Sequence, residues 1–123
     1  MAGLSATTPQ PSEIKLHQVS KILEIHFNDG CHFDLSCEYL RVFSPSAEVR
    51  GHGAGPGTLQ VGKQGVNIID IVPVGNYAVK LVFDDGHDSG LYSWDHLYEL
   101  GRNREANWQD YLARLEQAGA ARA

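Results

Sequence analysis

The sequence predicts an α+β domain. It is a two-layer arrangement of a mainly antiparallel sheet of about five to six strands, two short helices and a C-terminal helix. Three observations lead there. Leu23, Ile25 and Phe27 alternate with Glu24 and His26, the period of a half-buried strand. Asn28-Asp29-Gly30 and Asp84-Asp85-Gly86 are turn signals that fold such runs into hairpins. Finally, IHFNDGCHFDLSCEYL and LVFDDGHDSGLYSWDHL share one plan: strand, Phe-x-Asp-Gly turn, strand, serine cap, acidic residue, short helix. Leu35 and Leu91 each follow their turn glycine by five positions.

Each element has its own reason. Residues 1–13, rich in Ser, Thr, Ala and Pro, are expected to form a disordered tail. The folded domain is expected over 14–101. After the first turn, Cys31, Phe33 and Leu35 continue the hairpin. Ser36 caps a short helix with Glu38 in its first turn and Tyr39, Leu40 and Phe43 on its apolar face. A strand follows over Val66–Val72, and Pro73 with Gly75-Asn76 marks a turn or an edge. Tyr77–Phe83 and Leu91-Tyr92 form the second hairpin. Ser93 caps a helix over Trp94–Leu100, and Gly101 is expected to end it. Asn103 is expected to cap a last helix over 102–118, with Trp108, Tyr111, Leu112 and Leu115 on one face. Residues 119–123 are expected to fray.

Composition excludes several functions. Ten Lys+Arg against fifteen Asp+Glu give a net charge of −5. That balance argues against nonspecific nucleic-acid binding, which needs cations to displace counterions from phosphates. No apolar run is long enough for a membrane span, and no basic run suits an anionic membrane. The N-terminus lacks the pattern of a secretory signal, and two cysteines are too few for a disulfide scaffold. A cytoplasmic protein with reduced thiols is expected.

The order of elements, with LRVFSPSAEVRGHG followed by FDDGHDSGLYSWDHLYELG, resembles the N-terminal domain of γ-butyrobetaine hydroxylase, a family once catalogued under unknown function. The resemblance covers about Leu16 to Gly101. It implies a domain that precedes an iron- and 2-oxoglutarate-dependent dioxygenase domain. It also implies occurrence alone in bacteria, or as an appendage of ATPases that carry iron–sulfur clusters. A jelly-roll oxygenase needs eight strands and a metal triad of its own, for which these 123 residues have no room. Hydroxylase activity is therefore not expected.

The resemblance also implies a structural zinc, held through Cys-x-Cys-x-x-Cys and a distant histidine. Those positions fall on Ser44, Ser46, Val49 and His87, so three of the four ligands are absent. His52, with His87 and nearby Asp85, Asp88 and Glu48, offers a different N/O set for zinc or iron. The backbone amides of GHGAGPG can cradle an anion, but no Gly-Lys-Ser/Thr follows. The plainer reading of that stretch is a flexible connection or a binding surface. Cys31 and Cys37 lack a Cys-x-x-Cys spacing, and Cys37 is expected to be buried at the sheet–helix contact. Trp94, Tyr98 and Trp108 form a partner patch if exposed. His17, His26, His32 and His96 look scattered and receive no role.

Three functions compete. The favoured one is a non-catalytic interaction or accessory domain, linked to iron–sulfur or 2-oxoglutarate oxygenase systems. Its protein partner would meet Ser44, Pro45, Ser46, Glu48, Arg50 and Trp94. The second is a small metal-binding protein using His52 and His87. The third is an enzyme with an unrecognised site, for which a deep apolar pocket with converging polar groups would be the mark.

Overall fold

The computed structural model describes residues 8–46 and 59–123. Among the described residues, six strands and three helices follow one another as β1 (Pro11–His17), β2 (Ile22–Phe27), β3 (His32–Ser36), α1 (Cys37–Val42), β4 (Ile68–Val74), β5 (Ala78–Phe83), β6 (Leu91–Ser93), α2 (Trp94–Arg102) and α3 (Arg104–Ala118). The strands form two three-stranded antiparallel sheets, β1-β2-β3 and β4-β5-β6. The α+β class and the strand number match the expectation from sequence.

The repeated plan is a structural repeat down to individual hydrogen bonds. Phe27 N–H reaches Cys31 O at 2.8 Å, and Phe83 N–H reaches His87 O at 2.9 Å. Gly30 and Gly86 both turn with φ of 90°, a conformation that favours glycine. The serine caps form as expected: Ser36 Oγ accepts from Tyr39 N–H and Ser93 Oγ from His96 N–H. The first strand of each sheet carries a register shift near its start, between Pro11 and Glu13 and between Ile68 and Asp70. Each short helix then reaches across to the other unit's turn. Arg41 on α1 binds Asp85, and Tyr98 on α2 binds Asp29.

One core joins the two units. Leu23, Ile25 and Leu35 from the first sheet meet Ile68, Leu81, Phe83 and Tyr92 from the second, with Leu40 and Leu97 from the helices. All nine are essentially removed from water. A satellite cluster of Val42, Tyr111 and Leu115 docks α3.

Four boundary expectations need correction. Residues 11–13 are strand rather than tail, because β1 pairs along β2 and its proline stands first in an edge strand, where no ladder donor is needed. Gly101 lies inside α2 rather than ending it. A Cβ there would stand 2.5 Å from the Phe33 ring, so this glycine permits close packing. Asn103 stands between α2 and α3 without a side-chain cap, and its amide binds Glu99. Residues 119–123 are tied down: Arg122 forms a two-pronged pair with Glu38, and its carbonyl accepts from Gln64 N–H.

Candidate functional site

The end of α1 and the β5–β6 turn meet at His87. Ser44 follows α1 and places Oγ 2.9 Å from His87 Nε2, while the Ser46 amide donates to the same Ser44 oxygen. Ser46 Oγ pairs with Ser89 Oγ at 2.7 Å. Gly90 makes the approach possible, because a Cβ there would stand 2.4 Å from Ser44 Oγ. Asp85 anchors the turn. Its Oδ1 accepts from His87 N–H, and its Oδ2 accepts from Arg41 Nε at 2.9 Å and Lys63 Nζ at 2.7 Å. Partial burial raises the Asp85 pKa, but hydrogen bonds from Lys63, the His87 amide and Arg41 outweigh it and hold the carboxyl at about 2. Arg41 is buried, and its Nη1 has no hydrogen-bond partner among the described residues.

This node does not fit the zinc that the resemblance implied. Among the described residues the donors around His87 are neutral hydroxyls already engaged, Ser44 with His87 and the Ser46 amide and Ser46 with Ser89, and zinc of that family type needs thiolates. Asp85, considered as an oxygen ligand, has both oxygens engaged by cations or an amide. His52, Glu48 and Arg50 lie outside the described residues, and so does Val49.

The expected partner surface also changes. Ser44 and Ser46 are 1% and 6% exposed, so their hydroxyls serve the interior. Pro45 and Trp94 are half-buried, and the Trp94 indole donates to Asn76 O. Tyr98 and Trp108 are held in aromatic packing, Tyr98 against Phe27 and Phe33 and Trp108 against Tyr39 and Tyr111. Cys37 is fully buried as expected, and burial pushes its thiol pKa up despite its place at a helix start. A cleft of about 240 Å³ lies between α1 and α3, lined by Ser36, Tyr39, Arg104, Glu105, Trp108 and Gln109. It falls below the range of roughly 300–1,000 Å³ usual for ligand pockets.

Sequence reasoning missed a second constellation. On the outward face of the first sheet, His26 stands opposite His32 and Glu24 opposite Asp34. The two imidazoles stack with centroids 4.3 Å apart. Glu24 binds both His26 and His17, and His32 binds Asp34 at 2.9 Å. The His26 bond, followed by the His17 bond, holds the Glu24 carboxyl at about 2. The signal was present in Glu-x-His before the turn and His-x-Asp after it, which a hairpin must bring to one face.

Comparison with known proteins agrees with the fold. The family model described as γ-butyrobetaine hydroxylase-like, N-terminal, matches residues 14–98. Two proteins with NMR solution structures are 51% and 56% identical to this chain. The first match covers 94% of this chain and 90% of the other, the second 98% and 91%, and both have a TM-score of 0.82. A crystal structure of a protein of unknown function from Acidithiobacillus ferrooxidans, of the DUF971 family, is 37% identical. That match covers 75% of this chain and 92% of the other, with a TM-score of 0.64. No curated protein matches.

Proposed function

We propose that this chain, which belongs to the γ-butyrobetaine hydroxylase-like N-terminal family, is a non-catalytic accessory domain that docks a protein partner on the outward face of its second sheet. The observation that carries the reading is the contrast between the two outward faces. The first presents Glu13, Lys15, His17, Glu24, His26, His32 and Asp34, with half-buried Ile22 as its apolar residue. The second presents a row of Val72, Lys80 and Leu91 in register, with the Asp70–Val82 pair beside it and Ile69 exposed at the register shift. Ile69 on β4 is 55% and Leu91 on β6 45% exposed, high for large apolar side chains on the two strands that flank β5.

Charge selects the occupant. Lys80 lies on the central strand, between Val72 and Leu91. Two copies packed about a two-fold axis through the Val72–Lys80–Leu91 row would bring their Lys80 ammonium groups together, which is unfavourable. A different protein, with apolar side chains surrounding a carboxylate, fits the face. Iron–sulfur and 2-oxoglutarate oxygenase systems are the partner class that the resemblance supplies.

A photo-crosslinking residue at position 91 tests this, with one at position 15 on the polar face as the control. A heterologous adduct from position 91 alone, abolished by Lys80→Glu, is expected. A self-adduct, or no adduct, overturns the proposal. Leu91→Arg is expected to change stability by no more than about 0.5 kcal/mol, so loss of binding would not reflect unfolding.

A further inference from the structure

The polar face of the first sheet carries a different possibility. Within it, one ligand-type atom each from Glu24, His26 and His32 lie within 4.8 Å of one another. We propose that these three residues form a binding site for a divalent transition-metal cation of the zinc class.

The backbone dictates the arrangement. β2 and β3 pair in register, so His26 faces His32 directly, and the alternation of a strand puts Glu24 on the same side. The stacked rings, 11° from parallel, turn both Nε2 atoms toward Glu24 Oε2. His32 Nε2 is still 4.0 Å from that oxygen. Donors around a tetrahedral zinc stand about 3.4 Å apart, given bonds of about 2.0–2.2 Å. Side-chain rotations on the order of 1 Å therefore convert the cluster into a ligand set. Beneath it, Leu23, Ile25 and Phe27 fix β2 in the core, so the site sits on a rigid element.

The surrounding residues complete the design. His17 Nε2, 2.9 Å from Glu24 Oε1, orients the carboxylate through the oxygen that does not ligate. Asp34 Oδ1, 2.9 Å from His32 Nε2, steadies that ring without joining the three-residue group, so the fourth position goes to water. Two imidazoles with carboxylate oxygen suit zinc, nickel or copper, whereas calcium and magnesium prefer all-oxygen sets. The face is open to solvent, so the cation would exchange with its surroundings.

Titration of the full chain with zinc chloride in a non-chelating buffer, followed by amide and imidazole NMR signals, tests the proposal. Saturation at one equivalent is expected, with shifts concentrated in β2, β3 and their turn. His26→Gln and His32→Gln should each weaken binding at least tenfold, and His87→Gln should leave it unchanged. Should a histidine variant show a disturbed amide spectrum, Glu24→Gln supplies the same readout with both rings intact, and an equal loss is expected. Shifts that never saturate, affinity retained without both histidines, or binding that follows His87 would each overturn the assignment.

Discussion

The two hairpin–helix units share a backbone and differ in what their turns hold. In the first, Asp29 at the turn receives the Tyr98 hydroxyl, with Cys31 Sγ 3.3 Å from the same phenol oxygen. In the second, Asp85 at the equivalent place receives Arg41 and Lys63, and His87 stands where Cys31 stands. Phe33 presses on Gly101 and Ser44 on Gly90, so in both contacts the first unit supplies the side chain and the second the glycine. The shared positions are those that fold the chain: turn glycines, serine caps, and a leucine on each helix facing the common core. The turn aspartates are shared as well, and what diverges is the partners they hold and the residue after each turn glycine, Cys31 in one unit and His87 in the other. Much of the chemistry in this molecule is thus placed on positions that the shared turns, caps and core leucines leave open to vary.

The sharpest way to break the comparison is through its apolar half. Leu40 and Leu97 occupy equivalent places on α1 and α2, and both are fully buried. Leu40→Ala and Leu97→Ala should each cost about 2–5 kcal/mol, the range for a buried leucine that leaves a cavity. In urea, each variant should unfold in a single transition with a similar loss. Two separate transitions would mean that the units fold independently and that the joint core is not cooperative.

A smaller effect is expected at the crossed polar contacts. Arg41→Met removes a buried hydrogen bond to a carboxylate but also an orphaned donor, and Lys63 still serves Asp85. A loss of about 1–3 kcal/mol is expected. The pH dependence has a definite sign. The folded pKa of Asp85, about 2, lies below its ordinary 3.8. The ionised form is therefore favoured by folding, and its contribution is present above pH 3.8 and lost as pH falls toward 2. The urea midpoint of the native protein should fall more steeply across that window than that of Asp85→Asn. Parallel slopes would show that the ion pair contributes nothing to stability.

The units also show what a sequence makes legible. Gly30, Gly86, Ser36 and Ser93 act locally, so their turns and caps could be read from a few neighbours. β1 was hidden because Pro, Ser and Thr suggest disorder, while its pairing depends on a partner strand. Gly101 was misplaced for a similar reason: the Phe33 ring that requires it comes from another element. Ser44 and Ser46 did come near His87, as the resemblance implied, but their burial depends on packing that no local pattern records. The Glu24–His26–His32 cluster needed only strand alternation on both sides of one turn. Each histidine taken alone carries no such signal; only the pairing of the two strands joins them.

The smallest expected effect sharpens the comparison from the side of the first turn. Asp29 accepts the Tyr98 hydroxyl at 2.6 Å in an exposed setting, so Asp29→Asn should leave the urea midpoint nearly unchanged. Its consequence should appear in titration. The bond to Asp29, followed by that to Cys31, pushes the Tyr98 phenol up to about 12. A neutral phenol held in this way contributes stability below its ordinary pKa of 10 and loses it as pH rises through 12. Tyr39, Tyr92 and Tyr111 are raised as well, first of all by burial, which Asp29→Asn does not alter. The difference in phenolate absorbance between native protein and variant therefore isolates Tyr98, whose titration should move down toward 10. If it stays near 12, the carboxylate is not what holds it, and the turns of the two units are less alike than their hydrogen bonds indicate.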